Sequence, residues 1–291
     1  MVHPTTTVQR GRGGTASARL AFNDMTAVRH RSVFLPVLSG LIALTWVALW
    51  VWSRSPYGRY LEHGNWFDAG FGALLCSVVP AGEAVVPALI HATGWVMMIT
   101  AMMLPTTLPL LEQFRRLTAS RPDHLQLMAL VVAGYLGVWA AFGLVAHGLD
   151  LAVLELFQRT PRLALNGWLV GSAVIGAAGL FQFSSLKYRC LDKCRTPLSF
   201  VIQHWRGRAP RRRAFLLGVH HGAFCVGCCW ALMMLMFVVG TGSIGWMLAL
   251  GAIMAIEKNM PWGRHLSAPL GAALLTWAAV TVALNLGVLG G

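Results

Sequence analysis

Runs of about 20 apolar residues recur from Val33 almost to the C-terminus, and a helix of that length crosses the roughly 30 Å hydrocarbon core of a bilayer. They fall at about 33–52, 84–111, 126–148, 166–186, 214–240, 243–257 and 266–289. Lipid offers the backbone no hydrogen bonds, so each run must satisfy its own as a helix. The expected fold is therefore all-α, a polytopic transmembrane helix bundle of about seven spans. Six is the alternative if the short sixth run is re-entrant; Gly240–Thr241–Gly242 would join it to the fifth as a tight hairpin. Only 11% of residues are charged and 56% are hydrophobic, against about 25% charged in soluble domains. Phe67–Val79 is apolar but short, and reads as an interfacial piece.

The net charge of +13 invites a nucleic-acid reading, but its distribution excludes one. Basic residues gather in the N-terminal tail (Arg10, Arg12, Arg19, Arg29, Arg31) and between Lys187 and Arg213. With the N-terminus in the cytoplasm, the inner loops 112–125 and 187–213 hold three and nine Lys or Arg. The outer loops 53–83, 149–165 and 240–243 hold two, two and none. That asymmetry places the N-terminus inside and the C-terminus outside. Residues 1–32 are polar and lack apolar periodicity, the pattern of a disordered basic cytoplasmic tail that can rest on anionic lipid. Residues 33–291 form the transmembrane domain. The first run sits far from the start and lacks a cleavage pattern, so it reads as a retained anchor.

Within this frame Phe224–Phe237, FCVGCCWALMMLMF, concentrates sulfur where nothing polar should sit. On a helix each residue advances about 100°. With Cys225 at zero, His221, Cys228, Cys229 and Met236 fall within about 60° of it, on one face. In HATGWVMMITAMMLP, Met98 and Met102 share a face with Glu112 at the cytoplasmic end, while Met97 and Met103 lie well off it. By helix rise both stripes reach the middle of the membrane. Thiolate and thioether ligands select Cu(I) above most metals, with zinc second. Cys190 and Cys194 in SSLKYRCLDKCRTP project together and sit among Lys187, Arg189, Lys193 and Arg195, cations that favour thiolate. Helix rise puts this pair roughly 15 Å from the Cys225 group, which predicts two ligand levels. Glu257 and Lys258 close the sixth run at the cytoplasmic level of Cys190, Cys194 and Glu112. Ionisable groups there mark a pathway, or a lysine with its counter-ion. Glycines at 218, 222, 227 and 240 allow close helix approach.

MMITAMMLP (97–105), FQFSSLKYRCLDKCRTP (181–197), GVHHGAFCVGCCWALMMLMFVVG (218–240) and the Glu257–Lys258 pair together resemble a bacterial family of integral membrane proteins described as metal-binding. The similarity runs over roughly 85–260, and Cys-Val-Gly-Cys-Cys-Trp is its most specific element. The chain departs from other members in the FQF stretch and at Ser185. The resemblance implies a metal ion at the cysteines. Three functions follow from the residues. The first is a protein that binds or relays Cu(I), as transporter or metallation factor, exchanging metal with a soluble chaperone or metalloenzyme client on the cytoplasmic side. The second is a thiol–disulfide oxidoreductase built on the Cys225/Cys228 spacing. The third is a structural subunit whose sulfur only packs. No phosphate loop, zinc-protease motif or serine–histidine–acid set is present, so hydrolytic chemistry is not expected.

Overall fold

A computed structural model describes residues 36–55, 85–160, 166–205, 209–240 and 243–287. The basic tail, the Phe67–Val79 piece and Cys76 lie outside the described residues. By its internal contacts the chain divides at Leu41/Ile42, and the packing below concerns the second unit. Among the described residues every regular element is helical: α1 (Pro36–Ser53), α2 (Val85–Met102), α3 (Leu108–Thr118), α4 (His124–Arg159), α5 (Gly167–Phe181), α6 (Ser185–Arg195), α7 (Pro197–His204), α8 (Pro210–Val239), α9 (Ile244–Asn259) and α10 (Ser267–Asn285).

The all-α expectation holds; among the described residues the candidate spans number four to six, a range that includes the six-span alternative and stops short of seven. Four helices are long and apolar enough to cross a membrane: α1, α4, α8, and α10 with its preceding turn. Two more candidates are broken rods, Ala92–Met102 with Pro105–Thr118 bent by 45°, and α5 with α6 bent by 62°. The described residues thus carry four to six candidate spans. The helix that falls short is α9, whose 16 residues reach only about 24 Å.

The long helices α4 and α8 form the most extensive contact in the bundle. Small residues make it, letting the two backbones approach closely. A Cβ at Gly218 would run into the Val131 carbonyl, and one at Gly134 into the Phe215 carbonyl. Gly222 would meet Val138 at 3.0 Å. On the other side, α5 packs against α10 in antiparallel fashion, Gly179 facing Leu275 and Gly271 facing Gln182 and Phe183. The N-terminus of α8 is set by Ala209 in the left-handed region (φ 62°) followed by Pro210 at the first helical position, where its missing N–H costs nothing.

Three interruptions in the helices meet at the middle of α8. Between α2 and α3, Pro105 has no N–H to continue the ladder; Thr106 Oγ1 donates instead to the Met103 carbonyl (2.7 Å) and Thr107 Oγ1 to that of Leu104 (2.8 Å). Between α5 and α6, Gln182–Ser184 turn the chain, and Ser184 Oγ caps the new helix by accepting from Lys187 N at 3.1 Å. The third is the end of α9 at Asn259, followed by Pro261. Irregular backbone at membrane depth survives only where protein surrounds it. All three breaks carry side chains that converge on one place.

Candidate metal centre

Cys225 sits halfway along α8 and is 1% exposed. Cys228 and Cys229 lie one turn further on, equally buried, and their thiols donate back to the Cys225 carbonyl at 3.1 and 2.8 Å. The shared face read from the helix period is therefore real, and it points inward. Facing it from α4 is Tyr135, whose hydroxyl lies 3.1 Å from Cys225 Sγ and donates to the Met103 carbonyl at 3.3 Å.

The centre of the cluster is a cation. Lys258 Nζ, at the end of α9, donates to Cys225 Sγ at 2.9 Å and to Thr106 Oγ1 at 3.4 Å. Cys229 Sγ lies 3.7 Å away and Met103 Sδ 3.9 Å. Two cysteine sulfurs, one thioether and one hydroxyl thus surround a single buried positive charge. A buried ammonium needs electronegative partners, and its sequence neighbour Glu257 is already taken. Lys187 Nζ pairs with Glu257 Oε1 and Oε2 at 2.7 and 2.9 Å, with side chains 0% and 2% exposed. Ser267 Oγ donates to Glu257 Oε1 at 2.6 Å, and Lys187 also bonds Gln182 Oε1. Arg195 holds the Glu257 and Pro261 carbonyls. This network ties the α5/α6 break to the end of α9 and leaves Lys258 to the sulfurs.

Several expectations are corrected by this geometry. Cys190 and Cys194 do not form a separate level some 15 Å away. The 62° bend at Gln182–Ser184 folds α6 back against α8, so straight helix rise overstates the separation. Cys194 lies close enough to Cys228 for the two thiols to interact, and a Cβ on Gly227 would meet Cys190 Sγ at 2.7 Å. All five thiols belong to one neighbourhood, and each is free of disulfide. Gly227 therefore makes room for Cys190. The methionine that reaches Lys258 in the cluster is Met103, just past the end of α2, because the helix unwinds there and the 100° rule no longer applies. Met98 and Met102 are buried in the surrounding core, Met102 against Gly251 of α9. Met236 is buried but lies seven residues beyond Cys229, about 10 Å along the helix. Glu112 is bound within α3 by Arg115 and Arg116 at 2.8 and 2.9 Å. Lys187 does not serve the thiols; it neutralises Glu257, so Glu257 and Lys258 are not counter-ions of each other.

His221 is 4% exposed, its ring stacked on Tyr135 with centroids 5.8 Å apart, and its Nδ1 has no partner among the described residues. It borders a small cavity lined also by Leu104, Thr107, Val131 and Gly218. Tyr135, Met103, Thr106 and Gln182 escaped the sequence reading. The signal for Met103, Thr106 and Gln182 was position beside Pro105 and the FQFSS turn, where the helices break; Tyr135, inside α4, carried none.

Among the described residues no three His, Cys, Asp or Glu side chains stand as a ready-made metal cage. Two thiols are turned to a backbone carbonyl and the central position is held by Lys258. The donor set nevertheless fits a soft monovalent cation, which takes few ligands and prefers sulfur. Rotation of the Cys228 and Cys229 thiols off the carbonyl would free them. The model of a family described as "PpoB2: Copper chaperone" matches residues 92–281, a stretch that contains all of these groups. No curated protein and no solved structure matches the chain.

Proposed function

The chain belongs to the PpoB2 copper-chaperone family, and on that premise we propose that it is a membrane protein that takes Cu(I) as cargo into the sulfur cluster at the middle of α8 and passes it on. The observation that carries this reading is the placement of Lys258 Nζ within 3.9 Å of three sulfur atoms from two chain segments, Met103 at the α2/α3 break and Cys225 and Cys229 on α8. A cation already occupies the point where those donors converge, so the pocket is built for positive charge in a dry interior. Cys225, Cys228 and Cys229 are the proposed ligands, Met103 completes the shell, and Cys190 and Cys194 exchange metal with them from α6. Zinc is the second candidate.

Lys258 acts as the tethered stand-in. In the metal-free protein its ammonium offsets the sulfur dipoles; on loading it must withdraw, and on release it returns. Two like charges about 4 Å apart repel by roughly 4 kcal/mol at the dielectric typical of protein sites. Lys258→Met is therefore expected to slow copper transfer to an external chelator at least tenfold. Unchanged or faster transfer would remove this role.

For placement, α9 and α10 descend to the level of Cys225 and return, so both ends of that hairpin lie on one side. The C-terminus is proposed to lie outside, which a short α9 allows. The protein is proposed to sit in a bacterial inner membrane with its N-terminus cytoplasmic, meeting a soluble donor or client there. The broken helices and bistable lysine favour transfer over storage, whether as transporter or metallation factor. The chain purified from cells grown with both metals should carry copper in excess of zinc, measured by mass spectrometry. Zinc alone, or no metal, would overturn the copper reading.

A further inference from the structure

A pair of histidines outside the sulfur cluster fits a second metal-binding role. His204, the last residue of α7, and His220, in the second turn before Cys225, have ring centroids 5.0 Å apart. Metal–nitrogen bonds are about 2 Å, so two rings at that separation can share one cation in a bent arrangement. His204 Nδ1 lies 2.8 Å from the Phe200 carbonyl. That contact places the proton on Nδ1 and leaves the Nε2 lone pair free, the tautomer that metal-binding histidines show when a backbone oxygen orients them. The ring is also stacked on Phe200 at 4.2 Å, which fixes its plane. His220 is exposed and His204 half-buried, so both can be reached from outside the bundle.

A route inward is visible from the same residues. Phe200 packs edge-on against His221 at 5.6 Å. His221 is buried, has an unpartnered Nδ1 and borders the cavity beside Tyr135. Tyr135 in turn touches Cys225. Between the histidine pair and Cys225 stand Phe200, His221 and Tyr135, each touching the next. The order of donors also suits delivery. Imidazole binds Cu(I) less strongly than thiolate, and Arg211, Arg212 and Arg213 at the same end of α8 weaken any cation site near them. A weak outer pair hands on what a strong inner cluster keeps.

We infer that His204 and His220 form an entry site for Cu(I), upstream of His221 and the thiol cluster. This rests on the copper reading above. The test uses the full chain in detergent with Cu(I) added anaerobically as its acetonitrile complex. In a background with Cys190, Cys194, Cys225, Cys228 and Cys229 all changed to Ser, where the thiols of the cluster are removed, residual Cu(I) binding should fall at least about tenfold on adding His204→Gln and His220→Gln. Its X-ray absorption spectrum should lose the imidazole signature. With the thiols intact, the same two histidine changes should leave the final copper per chain unchanged but slow loading by a similar factor. Gel filtration checks that each variant stays folded, and His220→Gln alone, which spares the Phe200 stack, should show the slower loading too. Equal residual affinity and equal loading rate in the histidine variants would overturn the entry site while leaving the cluster standing. If the cysteine-to-serine background instead holds as much copper as the unaltered chain, the copper reading itself falls.

Discussion

Replacing Cys225, Cys228 and Cys229 together by serine is expected to lower Cu(I) affinity by more than about 100-fold, because changes to groups that merely orient metal ligands already cost 10–100-fold. Serine keeps the volume and the backbone hydrogen bonds that the thiols now make to the Cys225 carbonyl at 3.1 and 2.8 Å. The fold should therefore survive, and the loss should report on donor chemistry alone. Hydroxyl oxygen is a hard donor that Cu(I) does not favour. The measurement is competition against a chromophoric Cu(I) chelator under anaerobic conditions, with copper per chain determined in parallel. A triple variant that competes as well as the original would mean that sulfur on α8 only packs. Oxidation-dependent changes in thiol labelling without copper binding would favour redox chemistry instead.

The second large effect is on stability. Glu257→Gln removes the negative partner of Lys187, a side chain with no exposed surface. Breaking a buried ion pair on one side costs about 3–5 kcal/mol, because the remaining charge is stranded. Gln182 remains to accept from Lys187, but it carries no charge. Lys187→Met alone should cost a similar amount by stranding Glu257. The double change, Lys187→Met with Glu257→Met, should recover most of the loss, since replacing a whole buried pair by apolar groups is often neutral. Thermal or denaturant unfolding in detergent reads the cycle. Additive losses in the double variant would show that the pair is not coupled. The same single changes should loosen the end of α9 and so disturb Lys258, making copper transfer sensitive to a residue that never meets the metal.

Much of this protein was legible in the chain. Apolar runs of membrane length demand helices, because backbone polar groups in lipid have no other partner. The period of 3.6 placed Cys225, Cys228 and Cys229 on one face, and α8 is unbroken there, so the inference held. It failed where rods are interrupted. Met103 was assigned away from the site and Met98 and Met102 toward it, since Pro105 unwinds the end of α2. The Cys190/Cys194 pair was set apart because rise per residue assumes a straight rod, and the chain turns at Gln182–Ser184. Lys187 was set beside thiols and Lys258 beside Glu257, yet Lys187 neutralises the carboxylate and Lys258 faces thiols.

The sequence by itself determined helical class, the sulfur stripe and the softness of the donors, all of which follow from local composition and periodicity. Tertiary structure alone decided which breaks meet, which lysine serves which partner and that five thiols share one neighbourhood. Those depend on where separate segments cross, and a bend of 45° or 62° moves a side chain further than any helical period can predict.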